Sequence, residues 1–93
     1  MKSFMVIARF KDGATQDEIK SLIPAEVAQV KLLEEKGLIG IIKVAMPKRT
    51  VFLEAFAESE AEATESIKSL PMSVIWDFEL FETTPPAGVA LTN

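Results

Sequence analysis

The chain has no cysteine, no histidine and no tyrosine. Without cysteine there is no disulfide framework and no thiolate nucleophile. Without histidine the commonest metal ligand, the usual general base and the usual near-neutral switch are absent. Any acid–base work therefore falls to a carboxylate or a lysine. Net charge is −4, and no basic cluster marks a nucleic-acid surface. No apolar run approaches the length of a membrane span. The first residues lack a signal peptide's basic region, hydrophobic region and cleavage site, so a cytoplasmic protein is expected. No internal repeat is evident, and low complexity is confined to the end of the chain. No cofactor, metal, membrane or nucleic-acid partner is expected.

What is present reads as one domain over residues 1–82, followed by a Pro-rich extended tail over 83–93. The clearest stretch is Ser73 to Phe81, which alternates strictly and predicts a strand. Val74, Trp76, Phe78 and Leu80 share one face of it; Ile75, Asp77, Glu79 and Phe81 share the other. Lys2 to Phe10 alternates in the same way. Lys11-Asp12-Gly13 is a turn. Thr15 is a helix N-cap with acids behind it. Helical spacing of apolar residues then runs to Lys36, with Gly37 as the C-terminal cap. Pro24 falls inside that pattern and predicts a break or kink. Leu38–Met46 and Thr50–Ala57 form a hairpin around Pro47–Arg49. Ser59 and Glu62 form a capping box that opens a second helix, ending near Leu70.

The order strand, helix, strand, strand, helix, strand predicts an α+β, ferredoxin-like βαββαβ sandwich. It has a four-stranded antiparallel sheet, with β1 and β3 central and two helices on one face. The face with Phe4, Val6, Ile42, Val44, Leu53 and Trp76 is apolar throughout and belongs under the helices. The opposite face has Met5, Ile7, Ile39, Ile41, Phe52, Phe56, Ile75 and Phe81, too many large apolar residues for a solvated surface. A second copy of the chain is the economical cover, giving a homodimer or a higher oligomer through the sheet. Arg9 and Lys43 are then available to pair with Glu54, Asp77 and Glu79.

The residues from Glu26 through Leu32-Leu33-Glu34-Glu35-Lys36-Gly37, then Leu70-Pro71-Met72 and Trp76-Asp77-Phe78-Glu79-Leu80, resemble the muconolactone isomerase-like family of the dimeric α+β barrel superfamily. The resemblance covers the C-terminal two-thirds of the chain. It implies a small bacterial-type protein, assembling as dimers or rings, that shifts a proton within an unsaturated γ-lactone acid. It also implies an acid at Glu26 and a basic residue near Lys43.

Such a shift needs a base, a donor for the enolate oxygen and a group for the substrate's carboxylate. Glu26 lies within the first helix's apolar stripe and is the candidate base. Trp76 lies beneath that helix and is a candidate pocket wall. Lys43 and Arg9 are candidate substrate-binding cations. Plainer readings stand beside each. Glu26 suits the solvated first turn of a helix opened by Pro24, Trp76 suits a core, and the charges suit an interface network. Three functions stay open: an isomerase of this type, a cofactor-free monooxygenase or cyclase with an aromatic substrate, and a non-enzymatic oligomeric small-molecule-binding protein.

Overall fold

A computed structural model describes residues 1–85. The expected tail over 83–93 thus lies largely outside the described residues.

Alternation builds the sheet. In β1 (Lys2–Phe10) Phe4, Val6, Ala8 and Phe10 are buried while their neighbours are partly or fully exposed. This strand pairs antiparallel with β3 (Thr50–Ala57) on one side and β4 (Trp76–Thr83) on the other. β2 (Ile39–Ala45) pairs with β3, so the order is β2-β3-β1-β4. This is the ferredoxin-like βαββαβ topology, with the expected strands at its centre.

The helices are α1 (Gln16–Glu35) and α2 (Glu60–Lys68). Their buried residues, Ile19 and Leu33 from α1 and Ala63 and Ile67 from α2, join the same core cluster as Phe4, Val6 and Leu53. Thr15 caps α1 with a full capping box: its Oγ1 accepts from Glu18 N, and Glu18 Oε1 accepts from Thr15 N. Ser59 caps α2, but Glu62 reaches back to the amide of Glu58 rather than Ser59.

Three expectations need correction. First, of the break or kink expected at Pro24 the break does not occur; one helix runs through it from Gln16 to Glu35. Second, residues Pro71–Ile75 form a 3₁₀ turn, and β4 begins only at Trp76. In 3₁₀ geometry side chains three apart eclipse. Met72 and Ile75 therefore turn inward together, while Val74, expected inside, is exposed. Third, β2 bulges between Ile39 and Ile42, where three steps along β2 match two along β3. The extra residue reverses the alternation, so Ile39 is buried rather than on the outer face. Gly40 sits in this bulge. A Cβ there would lie 2.9 Å from Glu54 Oε1 and 3.0 Å from the Phe56 ring, so a larger residue would oblige those side chains to shift.

Candidate functional site

Helix α1 does not lie flat on the sheet. Ile23 and Val27 remain exposed on it, and Val44 and Met46 remain exposed on the strand side. All four border a cavity of about 400 Å³ between α1 and the β2–β3 half of the sheet. Leu53, Val51 and Ile42 form its floor, and Phe10, Met72 and Trp76 close one end. Among the lining residues the ionisable side chains are Glu26 and Lys20 alone, and Gln16 is also at the wall. Lys20 is exposed, whereas Glu26 is half-buried.

Glu26 lies mid-helix because α1 is unbroken. The first-turn reading, which rested on a helix starting at Pro24, is thereby removed. Its position follows from the apolar stripe: Ile19, Ile23, Glu26, Val30 and Leu33 recur at three- and four-residue steps, which stack on one helical face. The carboxylate is anchored. Pro71 opens the 3₁₀ turn without an N–H, so Met72 N is the turn's first free donor. It donates to Glu26 Oε1 at 2.8 Å. The other oxygen, Oε2, makes no hydrogen bond among the described residues. Burial pushes the Glu26 carboxyl above its ordinary value, and the Met72 amide only partly offsets it. Desolvation disfavours the charged form, as in many acid–base carboxylates.

Trp76 is 4% exposed and both packs in the core and walls the cavity. Its ring meets Phe10 edge-on, with centroids 6.4 Å apart at 69°. The Arg49 guanidinium stands 5.8 Å above the Phe10 ring. Arg49 is held there by the carbonyls of Lys11 and Ala14, at 3.0 and 3.1 Å. The indole Nε1 is buried and has no hydrogen-bond partner among the described residues. Leaving a buried donor unmade costs about 1–3 kcal/mol. An edge-on aromatic pair returns only about 0.5–1.5 kcal/mol.

Arg9 and Lys43 are not part of this cavity. Both lie on the outer face of the sheet, opposite α1. Arg9 pairs in register with Asp77 and Thr50, and Lys43 with Phe52. Arg9 Nη1 is 3.8 Å from Glu79 Oε1, and both side chains are exposed. The sheet therefore separates the four candidates into two pairs: Glu26 with Trp76 inside, Arg9 with Lys43 outside. A shallower depression beside Arg9 sets four cations, Arg9, Lys11, Lys48 and Arg49, against two acids, Asp12 and Asp77, so it is net positive. Among the described residues no group of three acids converges as a metal site requires, and no helix is long and apolar enough to cross a membrane.

Sequence reasoning missed the amide of Met72, the rim residues Gln16 and Lys20, and the exposed apolar lips at Val27 and Met46. One signal was available. Ile23 and Val27 widen the apolar stripe of α1 beyond what one line of core contacts uses. No protein-family model matches the chain, and no curated protein matches it.

Proposed function

We propose that the protein is a small isomerase in which Glu26 carries a proton between two carbons of an unsaturated, enolisable carbonyl compound. The observation behind this reading is the state of Glu26: one oxygen tied to Met72 N, the other unbonded, in a cavity whose apolar walls raise the carboxyl's affinity for a proton. A base that must take up a proton and give it back works best when its pKa is brought toward the working pH. The resemblance to the muconolactone isomerase-like family suggests the same chemistry, with an unsaturated lactone as the nearest substrate class. A placed acid favours this over a cofactor-free monooxygenase or cyclase, and an open cavity favours it over a purely structural assembly.

The test is Glu26→Gln. The amide oxygen still accepts from Met72 N, so the fold should persist with an unchanged urea midpoint near pH 4, where the native carboxyl is also neutral. Turnover of unsaturated lactones and β,γ-unsaturated ketones should fall by about 10²–10⁴-fold, the usual worth of a positioned base. Unchanged turnover would remove Glu26 from the chemistry.

We also infer that the protein acts as a homodimer through the outer face of the sheet. Met5, Phe52 and Phe81 are each more than a third exposed there, an apolar patch that monomers seldom leave uncovered. Around them Arg9 and Lys43 lie among Glu54, Asp77 and Glu79, a mixed pattern that a two-fold axis can match to itself. The cavity opens on the helix side, so this pairing leaves its mouth clear.

A further inference from the structure

One row of side chains crosses the outer face of the sheet from edge to edge. Lys43 on β2 is in register with Phe52 on β3, Phe52 with Ile7 on β1, and Ile7 with Glu79 on β4. The row runs cation, apolar, apolar, acid. We propose that the two-fold axis of the dimer runs along the strands between β3 and β1, laying this row over its own reverse, with Lys43 against the partner's Glu79 and Phe52 against the partner's Ile7. This inference rests on the pairing of two copies through the sheet and adds their orientation and the contacts that select it.

Three observations carry it. First, charge on this face is segregated by strand. β2 has Lys43 and no acid, whereas β4 has Asp77 and Glu79 and no cation. These strands are the two edges of the sheet, so an axis along the strands brings opposite charges together twice. An axis across the strands would lay β2 on β2 and β4 on β4, cation to cation and acid to acid. Like charges set against each other in an interface are strongly disfavoured, so charge decides between two orientations that apolar area alone would allow.

Second, these charges are poorly served within one chain. Lys43 and Asp77 make no ion pair among the described residues, and Glu79 reaches only Arg9, at 3.8 Å with both side chains exposed. The edge strands are three strand spacings apart, about 14 Å, with Phe52 and Ile7 between Lys43 and Glu79.

Third, the apolar residues match in the same orientation. Phe52 is exposed and Ile7 half-buried at the middle of the row. Two residues further along each edge strand, toward the same end of the sheet, Ile41 and Phe81 are also exposed. The axis that sets Lys43 against the partner's Glu79 sets Ile41 against the partner's Phe81.

The experiment mixes two full-length single variants. Lys43→Glu alone places acid against acid at both ends of the row, and Glu79→Lys alone places cation against cation. Each variant by itself should dimerise at least about tenfold more weakly than the native chain in sedimentation equilibrium at low salt. In an equal mixture both ends again hold opposite charges, so a heterodimer about as tight as the native dimer should form. With one variant labelled with nitrogen-15, native mass spectrometry separates it from either homodimer. Both positions are exposed on edge strands, and unchanged far-ultraviolet circular dichroism checks the fold of each variant.

A second measurement does not depend on charge reversal. The chain has no cysteine, so a Lys43→Cys chain mixed with a Glu79→Cys chain should be joined by a bismaleimide spanning the roughly 10 Å between packed sheets, and neither chain should be joined to itself. A native chain that stays monomeric removes the dimer and its orientation together. A native dimer whose charge variants associate as tightly as before, whose mixture does not recover, or whose cysteine variants couple to themselves removes the orientation and leaves the sheet pairing standing.

Discussion

Glu26 has two jobs that pull against each other. Its Oε1 holds the Met72 amide and so ties α1 to the 3₁₀ turn before β4. Its carboxyl is pushed above the ordinary value of 4.5 by burial. Below that value the group is neutral in both the folded and unfolded chain, and burial costs little. As pH rises past it, the unfolded chain ionises first, and the equilibrium moves toward unfolding. The native protein should therefore lose stability relative to Glu26→Gln as pH climbs from about 4, and the gap should level off once the folded carboxyl has ionised. Urea midpoints of the two chains at pH 4 and pH 7 measure this. Turnover should run the other way, rising with pH through the folded carboxyl's own titration, since the ionised form is the base. Glu26 was legible as a candidate because an acid stood in an apolar stripe. Its anchor was not, because a backbone amide from a distant turn leaves no mark in a stripe.

At the scale of elements, α1 is the least conventional piece. Pro24 in its interior withholds one N–H from the carbonyl four residues earlier, that of Lys20. A proline in mid-helix costs about 3 kcal/mol, part of which local adjustment recovers. Pro24→Ala should raise the stability of the chain by about 1–3 kcal/mol in thermal or urea unfolding. The helix survives its proline because it is capped by Thr15 and Glu18 and is seated by Ile19 and Leu33 at its two ends. That is also why the sequence left a break open beside a kink: local propensity was read without the packing that overrides it. The other two departures are of one kind. The bulge in β2 and the 3₁₀ turn before β4 each change a side-chain period over a few residues. Alternation from Val74 to Leu80 looks unbroken on paper, yet Pro71 winds the chain tighter for five residues before it straightens. Gly40, in the middle of an apolar strand, was the readable warning of the bulge. Topology and the central strands were legible because β1 alternates throughout and β3 alternates from Val51 to Ala57.

For the whole molecule, the two faces of the sheet divide the labour. The helix side encloses the cavity, and the outer side presents Ile7 and Phe52 in register, with Lys43 on the far side of Phe52. Placing a charge at the centre of that patch should prevent pairing, since an unpaired carboxylate does not enter an apolar layer. Phe52→Asp should sediment as a monomer while the native chain sediments as a dimer. Its far-ultraviolet circular dichroism should be unchanged, because residue 52 faces away from the core. A native chain that sediments as a monomer removes the pairing.

The strand order β2-β3-β1-β4 also sets a timetable. β2 and β3 are joined by a short turn and can zip as soon as both exist. β1 is made before either of its partners, and its second partner ends at Thr83. Ribosomes add roughly 5–20 residues per second, so β1 waits several seconds with both hydrogen-bonding edges bare. Closing so long a loop is slow on entropic grounds as well. During that interval a strand rich in apolar side chains is at the mercy of its neighbours in a crowded polysome, and cellular yield will depend on how quickly β4 emerges behind it.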